Sequence, residues 1–435
     1  MSTPKNPTAG TLDPTFGTKG IMTIDYAGDE GGAIYLRSIT TTGSGPDEKI
    51  YFCGERSDFF EGTRYFSGRL NLDGTPDKAF GSDGVVQGFF PDARRVSVSS
   101  LAIQPDGKLV ISAHSATLDD IAYFARFDQS GNLDTQFGNN GFTVVKLGQR
   151  SSPQNAEATK PDRRPLAERN SGSHMSVEIL PDGRILASIL EGYIVRLTCQ
   201  GQLDTSFNQT GYVRVVHPQH PKVRLLLQDL LVQDNNHCVA CGSLVTEPVQ
   251  ALLVRYDSTG KPDQSYGSSG NGFILIKGPT DSRGLRLERL ARQPNERLLG
   301  MGNTQEYPNE SGMLTSREPD GKPSIQFNGG EPLYTTLEAA KRTIWMGTAI
   351  QKDGKIVVAG ALGDRPRDFY ELVIARFISG KPDSSFGGEQ GWIRTSFSAK
   401  VGGYATAMTL QEDGKILAAA TIIDDDHPQI LRYLP

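Results

Sequence analysis

The sequence predicts an all-β fold, a seven-bladed β-propeller with four antiparallel strands per blade, and three observations carry that reading. One phrase recurs along the 435 residues: QPDGKLVISA (Gln104 to Ala113), QKDGKIVVAG (Gln351 to Gly360) and QEDGKILAAA (Gln411 to Ala420) are its clearest copies. The first two are each followed by an arginine in an apolar run and then by words such as GNLDTQFG (Gly131 to Gly138). The aromatic of that second phrase falls at Phe16, Phe80, Phe137, Phe207, Tyr266, Phe327 and Phe386. The arginine column, read independently, is Arg69, Arg126, Arg196, Arg255, Arg317, Arg376 and Arg432, again seven. The ends of the chain supply the third observation. The last unit stops at LRYLP, where the LDxxFG phrase is due, and the chain opens with GTLDPTFGTKG, the missing phrase. A strand-rich unit that cannot bury both faces alone stacks on its neighbours, and seven such units close a ring.

Each unit reads as four strands in order. Strand A alternates apolar and polar residues (Leu101, Ile103; Met408, Leu410) and ends near a glutamine. A tight Pro-Asp-Gly-Lys turn follows, with glycine supplying the positive φ. Strand B is a short apolar run such as IVVAG, and strand C carries the arginine, as in FARF (Phe124 to Phe127). The LDxxFG phrase turns the chain into strand D, such as GFTVVKL (Gly141 to Leu147). Residues 10–25 are therefore expected to complete the last blade, leaving no open edge. The whole chain, 1–435, reads as one propeller, with 148–173 a flexible insertion between blades. That stretch has five basic residues, three prolines and almost nothing apolar.

Composition excludes several classes of function. A formal net charge of −5 and no like-charge block exclude a nucleic-acid partner. No run of eighteen apolar residues exists, so no membrane-spanning helix is predicted. The polar Met-Ser-Thr-Pro-Lys start lacks an apolar core, so the expectation is a cytoplasmic protein or one exported without a cleaved signal. Four cysteines make no disulfide scaffold, and Cys238 and Cys241, although spaced as CxxC, point to opposite faces of a strand.

The repeated phrases resemble those of the delta-60 repeat family of bacterial β-propeller proteins, whose units carry LDxsFGxxG and QpDGKil-like motifs. The resemblance runs from Gly10 to Pro435 and implies the propeller. It implies little about function, because repeats and not an active site define that family. The wording departs at four positions: Ser324 replaces the motif aspartate, and Glu48, Asn236 and Glu296 stand where the turn glycine is due.

The motif aspartates, Asp13, Asp77, Asp134, Asp204, Asp263 and Asp383, precede the aromatic by three and follow the arginine by seven or eight. A feature repeated around a ring is architectural, so arginine and aspartate are expected to pair within each blade. Function is expected elsewhere. The A–B turns and C–D links keep their wording from unit to unit, whereas the D–A and B–C links are individually written. Antiparallel strands put those two variable sets on one face, where a rigid scaffold displays its working residues. Candidate binding residues there are Phe59, Phe60, Tyr307, Trp345, Arg365, Arg367, Asp368 and Tyr370. Four of them lie in the loop Asp364 to Tyr370, where contacts are expected above all. The predicted function is a monomeric, non-catalytic propeller binding a protein or glycan partner. The alternative is a carbohydrate-active enzyme, a hydrolase or lyase with carboxylates near the central channel. No catalytic residue, cofactor or metal site is predicted: His217-Pro-Gln-His220 and Asp424 to His427 lack convergent ligand spacing.

Overall fold

The computed structural model describes the chain except residues 1–7, 26–31, 59–61, 94, 116–118, 150–174, 234–235, 268, 306–308, 365–369, 398–401 and 424–426. Seven separate antiparallel sheets form, each with its strands hydrogen-bonded in chain order A to D. Blade 1 takes Ala33–Thr42, Lys49–Asp58, Gly62–Leu70 and Val85–Gly88. Blade 2 takes Val96–Ile103, Leu109–Ser115, Asp119–Phe127 and Phe142–Gln149, so Gly148 and Gln149, expected in the insertion, belong to its strand D. The rest of the insertion lies outside the described residues. Blade 3 takes Val177–Ile179, Ile185–Ile189, Tyr193–Leu197 and Tyr212–Arg214. Blade 4 takes Leu225–Val232, Cys238–Leu244, Gln250–Tyr256 and Phe273–Ile276. Blade 5 takes Gly284–Arg292, Leu298–Gln305, Gly312–Arg317 and Leu333–Thr335. Blade 6 takes Lys341–Ile350, Ile356–Asp364, Tyr370–Ile378 and Trp392–Thr395, with Lys381–Pro382 as an extra short strand.

Blade 7 closes the ring as the chain ends require. Gly403–Leu410, Ile416–Ile422 and Gln429–Tyr433 are its strands A to C, and Ile21–Thr23 is strand D. Ile21 pairs with Leu431, Met22 with Ile430 and Thr23 with Gln429. Strand B is buried along its length in blades 2, 4 and 7, because both of its faces meet neighbouring blades. The seven motif aromatics are all buried. Phe16, for example, leaves blade 7 to pack among Leu36, Ile39 and Phe52 of blade 1. A ring of backbone hydrogen bonds joins the C–D links: Gly17 donates to Asp73, Gly81 to Ser130, Gly138 to Gln200, Asn208 to Thr259, Gly267 to Asp320, Asn328 to Ser379 and Gly387 to Ala9. The uniform wording of that face is what keeps this ring in register.

The arginine and aspartate columns are structural pairs. Nε of Arg69, Arg126, Arg196, Arg255 and Arg376 donates to Asp77, Asp134, Asp204, Asp263 and Asp383 at 2.7–2.9 Å. Arg432 meets Asp13 at 3.0 Å across the closure. The same guanidiniums lie 4.5–4.9 Å over the motif rings. In five blades they also donate to a carbonyl of the next blade: Gln129, Cys199, Ser258, Pro319 and Leu72. One guanidinium therefore ties its own C–D link to its neighbour.

Blade 5 corrects the arginine column. Val110 pairs with Arg126 in blade 2, but the matching Leu299 pairs with Ser316, and Arg317 stands one position on. Ser316 thus replaces the arginine in the blade where Ser324 replaces the aspartate, and Ser316 Oγ donates to Gln293 at 2.6 Å. Both charges are lost together, so neither is left buried alone. Arg317 occupies the site that Phe127 fills in blade 2, is 7% exposed, and its Nε has no hydrogen-bond partner. Burial pulls its pKa down. Arg317→Leu is therefore expected to stabilise the protein by about 1–2 kcal/mol, because it removes a desolvated charge. Chemical denaturation checks this, and a lower midpoint would contradict it.

The irregular turns differ in kind. Asn236 and Glu296 hold the positive φ (59° and 58°) that glycine holds in other blades. Glu48 does not (φ −61°), because a short helical turn at Gly45–Asp47 re-routes the chain. Cys238 and Cys241 pack into different core clusters, on opposite faces as their spacing predicts. Burial pushes the Cys238 thiol up to about 12, so it is an inert core side chain.

Candidate functional site: a variable face and a polar channel

Strand order places the D–A and B–C links together at one end of the blades, as expected. Phe59, Phe60, Tyr307, Arg365, Arg367 and Asp368 lie outside the described residues. Trp345 and Tyr370 need correction. Trp345 is not in a D–A link but inside strand A of blade 6, fully buried and 6.5 Å from the Phe377 ring. Asn303 bonds its backbone on both sides, at 2.7 and 2.8 Å. Tyr370 opens strand C, fully buried beside Tyr404 at 6.2 Å, with the Arg342 guanidinium 5.2 Å from its ring. Neither side chain reaches a binding surface. Period-two alternation signals this for Tyr370, which shares a strand face with Leu372 and Ile374, both buried. In the link after blade 1, Phe90 is buried against Tyr65 and Tyr123, whereas its neighbour Phe89 is 40% exposed beneath Arg64. His217 is buried against the Phe273 ring at 5.0 Å, and that burial lowers its pKa.

Blade 6 gathers a polar and aromatic cluster beside Tyr370. Glu371, beside Tyr370 in strand C, accepts from Ser396 at 2.7 Å, Arg394 at 3.2 Å and Lys341 at 3.4 Å. Arg394 also pairs with Glu338 of the D–A link and lies 5.3 Å from the Trp392 ring. Burial raises the Glu371 pKa, but its bonds with Ser396, Arg394 and Lys341 outweigh that and hold it below the usual range. At neutral pH the cluster presents a fixed carboxylate, a guanidinium 41% exposed and an indole. Its members are scattered from residue 338 to 396, so no local motif reveals them.

The second feature is the central channel. Strand A bulges in six blades, and the extra residues are Arg37, Ser99, Gln228, Glu288, Met346 and Thr406. A bulge re-aims a side chain, here at the innermost strand of each blade. From this level a cavity of about 470 Å³ runs along the strands A to Ile103 and Ile179, which lead into the A–B turns. Its wall includes Arg37, Glu178, Gln228, Asp229 and Arg289. Arg37 donates to Glu55 at 2.6 Å. Asp229 accepts from the backbone of Leu230 (2.9 Å) and Leu290 (2.8 Å). Burial raises the Asp229 pKa, against the nearby Arg289 charge and a hydrogen bond from Ser176. Burial, then the Asp229 charge, pushes Glu178 up to about 7.

No protein-family model matches the chain, and no curated protein matches it. Among solved structures, a protein of unknown function from Dyadobacter fermentans is similar at 8% identity, with 99% of each chain covered and a TM-score of 0.44. The polysaccharide lyase Uly1 is similar at 8% identity, covering 92% of this chain and 90% of that one, with a TM-score of 0.40. An ulvan lyase of polysaccharide lyase family PL25 gives 9% identity, coverage of 93% and 84%, and a TM-score of 0.38. Likeness at this level carries no activity or substrate over to this chain.

Proposed function

We propose that this chain is a non-catalytic binding propeller, of the delta-60 repeat type by its repeat wording. It engages a protein or glycan partner through the D–A and B–C face, centred on blade 6. The observation that supports this reading is the Trp392–Arg394–Glu371–Glu338 cluster, whose Glu371 adjoins Tyr370 in strand C of blade 6. An indole and a half-exposed guanidinium held rigid by two carboxylates lose little entropy on binding, and tryptophan and arginine dominate binding hot spots.

The raised pKa of Glu178 favours the alternative, a carbohydrate-active enzyme, because glycoside hydrolysis needs a carboxyl protonated near neutral pH. That chemistry also needs a second, available carboxylate. Asp229 has both oxygens committed to backbone amides.

A glycan array and affinity capture on the intact chain test the reading. Arg394→Ala and the double variant Arg365→Ala/Arg367→Ala should each weaken capture about tenfold with thermal unfolding unchanged. Loss of capture on altering the uniform turns instead, at Lys108 or Lys415, would show that the face is wrongly assigned.

A further inference from the structure

The channel reaches the opposite end of the strands from the partner face, and its chemistry stands apart from that reading. Its wall carries two guanidiniums, Arg37 and Arg289, and two carboxylates, Glu178 and Asp229, and Arg37 is neutralised from behind the wall by Glu55. One negative charge is therefore left over. Arg37 is matched by Glu55 at 2.6 Å, and Arg289 acts on Asp229. Glu178 is the carboxylate without a match, and its carboxyl accepts no hydrogen bond from the described residues. The charges that act on it are Asp229 and Arg292. Arg292 is already held by Glu296 at 2.7 Å and by the Val232 carbonyl.

Gln228 adds an independent observation. It is the bulge residue of blade 4, lines the cavity, is 1% exposed, and its Oε1 has no hydrogen-bond partner. A buried amide oxygen left unpaired costs about 1–3 kcal/mol, so a donor delivered into the channel recovers that energy. The wall therefore presents an unpaired acceptor and one surplus negative charge. A divalent metal would need several converging carboxylate oxygens, and the wall's other carboxylate, Asp229, is already turned to two backbone amides. An ammonium needs only acceptors around it.

We propose that the central channel is a binding site for a small polar molecule carrying one protonated primary amine, gripped by Glu178 and Gln228. Ser38 and Thr40, on the blade 1 wall, face its remaining polar groups. About 470 Å³ accommodates a molecule up to the size of a simple sugar. Both an amino sugar and an alkyl amine carry this chemistry.

Calorimetry with glucosamine and ethanolamine, set against glucose and ethylene glycol, tests the site on the full chain. At least one amine should bind saturably at millimolar concentration and raise the unfolding temperature, and its neutral isostere should not. Glu178 ionises near pH 7, so affinity should fall by up to about tenfold per unit as pH drops below that value, with proton release on binding. Glu178→Gln should abolish the pH dependence and weaken binding about tenfold, and Gln228→Ala should weaken it with the pH dependence retained. Failure of both amines to bind, equal binding of the neutral isosteres, or a flat pH profile in the unaltered protein would overturn the proposal. Because the first arms need no variant, a Glu178→Gln chain that fails to fold leaves the test intact.

Discussion

Deleting residues 1–25 is expected to open the ring and abolish cooperative unfolding at the native temperature. The segment supplies strand D of blade 7, pairing Ile21, Met22 and Thr23 with the C-terminal strand. It supplies Phe16, fully buried between blades 7 and 1, whose loss alone is worth about 3–5 kcal/mol. It also carries Asp13, the partner of the buried Arg432, and the Gly17 amide that donates to Asp73. Removing it leaves Arg432 desolvated without its carboxylate and a bare strand edge. Those losses together approach the whole stability of a typical domain, about 5–15 kcal/mol. Circular dichroism with thermal unfolding reads the loss, and sedimentation reads association through the exposed edge. Phe16→Ala separates the wedge from the strand and should cost about 3–5 kcal/mol while the ring stays closed. A truncated chain that unfolds like the full one would disprove the closure.

Asp134→Ala is expected to cost about 3 kcal/mol, because it strands a buried guanidinium. Asp134 accepts from Arg126 at 2.9 Å and the Gln136 amide at 3.1 Å, and lies 3.1 Å from Lys108. Blade 5 shows the milder route, in which Ser316 and Ser324 replace both partners. Arg126→Ser with Asp134→Ser should therefore cost less than Asp134→Ala alone, since no charge is left unpaired. The aspartate also sets a pH signature. Burial raises its pKa, but Lys108, the Gln136 amide and Arg126 outweigh that and hold it below 3.8. A depressed carboxylate contributes stability above its unfolded pKa and loses it as pH falls through the folded one. The difference between unaltered and Asp134→Ala proteins should accordingly shrink below about pH 4. A double variant less stable than the single, or a cost independent of pH, would refute the pairing as the source of stability.

Blade number, strand order and the buried aromatic column were legible in the chain because the unit is written seven times, and closure because the phrase missing from the last unit opens the chain. Repetition separates architecture from accident, and local rules suffice for a strand, a turn and a wedge. The arginine column was legible in six blades and misread in the fifth. Arg317 matches the residue type, but only strand register shows that Ser316 occupies the arginine's place. Trp345 and Tyr370 were misplaced because aromatic residues near a variable link serve a core as readily as a surface. The strand that buries Trp345 begins at Lys341, four residues earlier than a link reading allows.

The sequence by itself determined a seven-membered ring sealed by its own N-terminus, a uniform face and a variable one. Loop comparison also drew attention away from the uniform face, toward which the central channel runs. Only the tertiary structure decided what lies in that channel, because it is assembled from one or a few residues of each of the seven strands A. Arg37, Glu178, Gln228, Asp229 and Arg289 are spread over some 250 residues and share no motif. Their charges and unmet hydrogen bonds exist only once the ring is closed, since desolvation, which lifts Glu178 to about 7, is a property of the assembled wall and not of any segment of the chain.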